Sequence, residues 1–313
     1  MTMADMLFDK VAIIGIGLIG SSLARVIKND GLAAKLVCFD ANRGYMEKAL
    51  ELGIVDACAG SAAEAAKDAD LVVLSTPVGA YGAITREIAP HLKVGAIVTD
   101  VGSVKKYSLQ EIESNLPYDN GVIVVAGHPV AGTEKSGPEA GFYELFADRW
   151  CILTPSSRST PEAIEKVSAM WRSAKMRIET MSPEHHDKVM AAVSHLPHLI
   201  AFSIVGTVAD LEGYEQQEII KYSASGFRDF TRIAGSDPTM WRDILLNNKT
   251  TVLELIQRFV EDLIALERNI RWNEGDKLFE LFSRTQKIRK EVIEARQHLP
   301  EAEKRLLSEN LKN

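Results

Sequence analysis

Short apolar runs alternate with segments of helical spacing through the first 181 positions. Phe8–Gly15, Leu32–Phe39, Ala69–Ser75, Ala96–Asp100 and Val122–Ala126 are rich in Val, Ile and Leu on consecutive positions, which predicts strands buried on both faces. Trp150–Thr154 and Met176–Met181 predict two later strands. The segments Ser21–Asp30, Glu47–Leu52, Tyr81–His91, Val101–Glu113 and Pro161–Ala174 predict the intervening helices. Such alternation specifies an α/β fold built on a parallel, doubly wound sheet. From Ser182 onward the strand pattern stops. Ser182-Pro183-Glu184 reads as a helix start, with a capping hydroxyl and proline in the first turn. Leu199–Ala209 predicts a buried helix, too short an apolar run to span a bilayer. Val252, Leu255, Ile256, Phe259, Val260, Leu263 and Ile264 recur at helical spacing as a core or subunit-interface stripe. The last thirty residues mix both charges and predict a solvated helix. The expected division is therefore 1–181, the sheet domain, and 182–313, an all-α domain.

Composition narrows the function classes. The chain has 313 residues, is 46% hydrophobic and 25% charged, and carries a formal net charge of −7. That is ordinary globular composition, and Lys and Arg are nowhere concentrated without nearby acids, which argues against a nucleic-acid partner. The first ten residues lack the pattern of a signal peptide. Three widely spaced cysteines, Cys38, Cys58 and Cys151, fit a reduced, cytoplasmic protein without a membrane anchor.

The first apolar run flows into GIGLIG, so Gly15, Gly17 and Gly20 form a G-x-G-x-x-G that includes Leu18 and Ile19. Gly15 permits the tight turn, Gly17 lets backbone approach a pyrophosphate, and Gly20 lets the helix pack closely on the strand. The helix N-terminus then offers N–H groups and a positive dipole end to the phosphates. Asp40 ends the second strand about twenty residues on, where a carboxylate accepts hydrogen bonds from ribose hydroxyls and repels a 2′-phosphate. This complete context predicts a Rossmann-type dinucleotide site and favours NAD. Arg43, three residues further, leaves NADP possible.

In doubly wound sheets, ligands bind past the carboxyl ends of the strands. Ser75, Thr76, Pro77, Ser103 and His128 fall at or just past such ends. Ser103 also stands where a strand hands over to a helix, so it reads equally as an N-cap. His128 lies between Gly127 and Pro129. A turn needs the glycine and the proline but not the imidazole, whose proton exchanges near neutral pH. In the helical half, SHLPH places His195 and His198 around Pro197, and Gly226–Ile244 holds Arg228, Arg232 and Arg242. Arg232 stands among Phe227, Phe230 and Ile233, while helix-surface ion pairing suffices for Arg242. No cysteine pair or acidic partner has metal-ligand spacing, so no metal is expected.

The ordered set GIGLIG, TDVGSVK (Thr99–Lys105), GHPVAGTEKSG (Gly127–Gly137), SHLPH and GFRDFTRIAGSDPTMWRDI resembles the prephenate and arogenate dehydrogenase family of tyrosine biosynthesis, over nearly the whole chain. The resemblance implies NAD-dependent oxidative decarboxylation of a cyclohexadiene. Hydride leaves ring C4, CO2 leaves C1 and the ring aromatises. It further implies His128 as the base on the C4 hydroxyl, Ser103 bonding the same hydroxyl or orienting His128, and Arg232 binding a substrate carboxylate. His198 and His195 would line the pocket, with Thr133 and Glu134 at its polar end. Glu134 would favour the arogenate amine, gate the pocket, or serve only as a solvated loop acid. A homodimer through the helical domain and inhibition by tyrosine also follow from the resemblance. Two other readings share the glycine pattern. A β-hydroxyacid dehydrogenase would need a lysine motif in the helical half, and a non-catalytic NAD sensor would not need Ser103, His128 and Arg232.

Overall fold

The computed structural model describes residues 6–117, 120–210 and 225–294. Eight strands form one sheet: β1 (Phe8–Ile14), β2 (Ala33–Phe39), β3 (Ala57–Cys58), β4 (Leu71–Leu74), β5 (Ile97–Asp100), β6 (Ile123–Pro129), β7 (Trp150–Pro155) and β8 (Arg177–Thr180). Their spatial order is β3-β2-β1-β4-β5-β6-β7-β8, with β1 through β6 parallel. The order reverses between β1 and β4, the switch point where such sheets bind ligands. Helices α1 (Leu18–Asn29), α2 (Arg43–Glu51), α3 (Ala62–Ala66), α4 (Tyr81–Ile88), α5 (Lys105–Asn115) and α6 (Pro161–Ser173) make the crossovers. They bury two apolar layers, one on each face of the sheet.

Three features depart from the sequence reading. The sheet is not wholly parallel, because β7 runs antiparallel to β6 and β8 follows β7. The two-residue strand β3 is too short to leave a periodic signal. The strand β6 does not stop at Ala126 but continues through His128 to Pro129, pairing His128 with Ile152. A glycine and a proline disguise that extension, since neither favours a central strand. Proline is tolerated because the end of β6 lies beyond its last pairing with β5, Thr99–Val125.

The helical segment continues with α7 (Pro183–Met190), a π-helical turn at Ala191–His195, α8 (Leu196–Ala209), α9 (Ser225–Thr231), α10 (Pro238–Asn247), α11 (Lys249–Arg271) and α12 (Gly275–Glu294). Ser182 caps α7 by accepting from His185 N–H, as its sequence predicts. Pro197 lacks the N–H that would reach back one turn, and the wider π turn just before it absorbs the mismatch. From Pro183 to Ala209 the helix runs unbroken for 27 residues, and its most apolar window has mean hydropathy 1.6 and is only 22% buried. The expectation of a short, buried apolar helix is thus overturned: only Ala201 of α8 is buried. Length and composition would let this run cross a bilayer, but Asp187 and His186 in its first turns accept hydrogen bonds from Lys105 and His128, which tie it to α5 and the sheet.

The chain separates into two units, 1–249 and 250–313. In the second, Val252 is buried and Leu255, Ile256 and Phe259 are half-buried, whereas Val260, Leu263 and Ile264 are exposed, as are Phe279 and Phe282 on α12, so the far end of the stripe is not a core within one chain. The expected terminal helix lies outside the described residues beyond position 294.

Candidate active site

The glycine loop is built as its three glycines require. Gly15 has φ +95° and leaves no room for a side chain, because an added Cβ would lie 2.5 Å from the Ser75 carbonyl oxygen across the switch point. At Gly20 a Cβ would lie 2.1 Å from the Gly15 carbonyl oxygen, so a helix this close to its strand needs glycine. Nothing approaches the Cβ position of Gly17, which sits at the N-terminal boundary of α1 with no side chain satisfying the first N–H groups. Leu18 and Ile19 open that helix and are half-buried. Asp40 follows β2 and accepts from Ile16 N–H and Asn42 N–H, both at 2.8 Å, which fixes the carboxylate beside the loop. Ser75, Thr76 and Pro77 follow β4, and the Ser75 hydroxyl is buried without a hydrogen-bond partner. Arg43 is exposed and paired with Glu47 at 3.0 Å. An open approach at Gly17, unclaimed N–H groups and a fixed acid at the ribose position fit a dinucleotide.

His128 is the centre of the second cluster. Its Nδ1 lies 2.8 Å from His186 Nε2, and His186 Nδ1 lies 2.8 Å from Asp187 Oδ1. Asp187 is held in turn by the start of α5, accepting from Lys105 N–H at 2.7 Å and Lys106 N–H at 3.0 Å. The cap of α5 is therefore supplied by a distant aspartate. Val104 occupies the cap position, so the N-cap reading of Ser103 is corrected and Ser103 stays half-buried ahead of the helix.

This chain of contacts fixes tautomers. A carboxylate only accepts, so His186 donates from Nδ1 and accepts at Nε2. His128 must then donate from Nδ1, which leaves the lone pair of its Nε2 for a ligand. Burial, reinforced by His186, Lys105 and His195, holds the His128 pKa well below the usual imidazole value. His186 is also lowered, chiefly by burial, with Asp187 opposing. Neutral His128 with a free Nε2 can accept a proton.

His195 is fully buried, and burial pushes its pKa down to about 4. Its Nδ1 lies 3.3 Å from the Asn248 amide nitrogen, which also donates to the Asp187 carbonyl at 2.9 Å. Its Nε2 has no hydrogen-bond partner. His198 stacks on Trp241 with ring centroids 3.7 Å apart. Arg232 is exposed despite its apolar sequence neighbours Phe227, Phe230 and Ile233, and it pairs with Glu134 at 3.4 Å. Thr133 accepts from Lys135 N–H in the same exposed loop. Arg242 pairs with neighbouring Asp243. No group of three metal-ligating side chains occurs among the described residues.

Residues 23–180 match the family described as prephenate dehydrogenase, nucleotide-binding domain, and residues 182–284 match prephenate dehydrogenase, dimerization domain. The chain belongs to the prephenate dehydrogenase family. A cyclohexadienyl dehydrogenase from Zymomonas mobilis is 41% identical over 282 residues, spanning 90% of this chain and 95% of the relative. Prephenate dehydrogenase from A. aeolicus, solved with hydroxyphenyl propionate and NAD+, superposes with TM-score 0.83 at 36% identity, covering 93% of this chain and 100% of that one. Synechocystis arogenate dehydrogenase superposes with TM-score 0.72 at 26% identity, covering 90% and 99%.

His186, Asp187, Asn248 and Trp241 escape the sequence reading of this family member. His185 and His186 are adjacent and look alike in sequence; only the register of α7 turns His186 into the buried centre and leaves His185 exposed. The capped start at Ser182 carried the signal, since it fixes that register.

Proposed function

We propose that this protein catalyses NAD-dependent oxidative decarboxylation of prephenate, arogenate or both, with His128 as the base. The observation that carries the reading is the relay His128–His186–Asp187, which leaves one neutral imidazole nitrogen free beside the ligand ends of the sheet. A nucleotide sensor has no use for such a base, and the charged and titratable cluster of the helical half is histidine and arginine, not the lysine of β-hydroxyacid dehydrogenases.

Gly15, Gly17, Leu18, Ile19 and Gly20 hold the pyrophosphate, Asp40 the ribose, and Ser75, Thr76, Pro77 and Ser103 border the nicotinamide end. Arg43 is engaged with Glu47, which supports NAD over NADP. Bound there, NAD supplies the hydride acceptor. His128 Nε2 takes the proton of the C4 hydroxyl as hydride leaves C4. Loss of CO2 from C1 returns its bonding pair to the ring, which becomes aromatic. The new phenolate oxygen recovers a proton, so His128 ends neutral. His186 shares the positive charge while it lasts, and Asp187 stabilises it. Ser103 bonds the reacting hydroxyl. Arg232 binds a substrate carboxylate with its planar fork, His198 lines the pocket, and Glu134 and Thr133 close its polar end. His195, buried and bonded to Asn248, shapes the wall behind Ser103.

A functional boundary at 181/182 is part of this reading, and it is supported by family matches that end at 180 and begin at 182. The exposed apolar faces of α11 and α12 support a homodimer. Three free cysteines support a reduced, cytoplasmic setting. Tyrosine, which is the product of arogenate oxidation and shares the phenol ring of the prephenate product, would inhibit at the same pocket.

The experiment mixes purified protein with NAD and prephenate, then arogenate, and repeats both with NADP, following reduced nicotinamide. Turnover with either cyclohexadiene supports the reading. Absence of turnover from protein that still binds NAD overturns it.

A further inference from the structure

A buried ion pair lies beneath both candidate catalytic residues. Lys105 Nζ and Asp100 Oδ2 are 2.5 Å apart, and both side chains are wholly buried. Removing two charges from water is costly, and a buried pair is on that account a poor stability device. Its hydrogen bonds indicate another use. Gly127 lies beyond the last register pair of β5 and β6, and the ion pair grips it there. Asp100 Oδ1 accepts from Gly127 N–H at 3.1 Å, and Lys105 Nζ donates to the Gly127 carbonyl at 2.6 Å. Both peptide groups of the residue preceding His128 are thereby fixed. Asp100 Oδ2 also accepts from Gly102 N–H at 2.9 Å, one residue before Ser103. The main-chain N–H of Lys105 meanwhile holds Asp187, and through it His186.

From this convergence we infer that Lys105 and Asp100 are a positioning pair that sets the place of His128 and Ser103 and the electrostatic balance around the base. The inference rests on the reading of His128 as base. The groups acting on His128 are His186 from α7, Lys105 from α5 and His195 from the π turn, with Cys151 of β7 against its backbone, while Asp187 and Asp100 act on His186 behind it. As a unit the pair is neutral. Loss of the lysine charge alone removes a cation that lowers His128 and leaves Asp100 uncompensated beside His186, which favours the imidazolium in the relay and makes the base harder to keep neutral. Loss of both charges restores the balance but not the bond to Gly127. A misplacement of about 1 Å can cost on the order of 100-fold in rate.

The test compares Lys105→Met, Asp100→Asn and the double variant for thermal stability, NAD affinity, kcat with a cyclohexadiene substrate, and the pH profile of kcat/KM. Lys105→Met is expected to keep NAD affinity, lose on the order of 100-fold in kcat, and move the acid limb to higher pH. The double variant is expected to return the limb toward its original position while kcat stays low. It buries no lone charge and carries the test if the single variant fails to fold. A folded Lys105→Met or double variant with kcat within about threefold of the parent and an unmoved acid limb overturns the inference. If His128→Asn itself retains turnover, the base assignment fails separately, whatever Lys105 does.

Discussion

His128 and Arg232 act on different parts of the same substrate, so their variants should separate. His128→Asn removes the lone pair at Nε2 and is expected to bind NAD normally with turnover reduced by at least about 100-fold, the lower range for a general base. Arg232→Ala removes a contact to a group present throughout the reaction, so KM for the cyclohexadiene should rise with kcat little changed. Steady-state kinetics beside NAD titration reads both, and normal turnover in the first variant would remove the base role. The burial that lowers His128 also sets a pH expectation. The acid limb of kcat/KM should be centred below about 6.5, the ordinary imidazole value, because the free base stays neutral there.

At the scale of elements, the cap of α5 is the most exacting piece. Asp187 Oδ1 and Oδ2 accept from two N–H groups of the first turn while Oδ1 also holds His186. Asp187→Ala should therefore cost stability and activity together. The cap alone is worth about 1 kcal/mol, and the relay loses its orienting anion. A His186→Ala variant, which leaves the cap intact, should lose activity with a smaller loss of stability. Equal losses of stability in the two would show that Asp187 does not cap in solution.

The same elements show what is legible in the chain. The glycine loop was readable to the residue, because Gly15 and Gly20 are dictated by backbone contacts local to one strand, one turn and one helix. The end of β6 was not, because Gly127-His128-Pro129 is held by Asp100, Lys105 and the antiparallel β7, all distant in sequence. Motif order points to Arg232 and His198, but the Glu134 ion pair and the Trp241 stack that orient them are products of the packing.

At the scale of the whole molecule, four of the described histidines are held neutral by burial: His128, His186, His195 and His198. Each has a folded pKa below its unfolded value, so the unfolded chain binds more protons as pH falls. Stability is then full above about 6.5 and declines toward pH 4, where His195 alone has cost about 3 kcal/mol by linkage. Thermal melts across that range should show the decline, and His195→Gln should flatten it if the variant folds. The exposed helical stripe carries a separate expectation. Leu263→Glu with Ile264→Glu should shift the protein toward monomer in sedimentation, since both side chains are exposed in the single chain. An unchanged assembly would place the interface elsewhere.

The π turn at Ala191–His195 makes residue count itself part of the catalytic design. Such a turn is equivalent to one residue inserted into a regular helix. Excising Ala192 would allow an ordinary helix to close, and the rest of that helix, through Ala209, would rotate by about 100° and retreat by about 1.5 Å relative to its first turns and to the separate helix that carries Trp241. His198 would leave the face of Trp241 although no residue touching either ring had been replaced. A scan by substitution would register the buried His195 but not the length of the turn that carries it, whereas a scan by single-residue deletion would find the whole segment unforgiving.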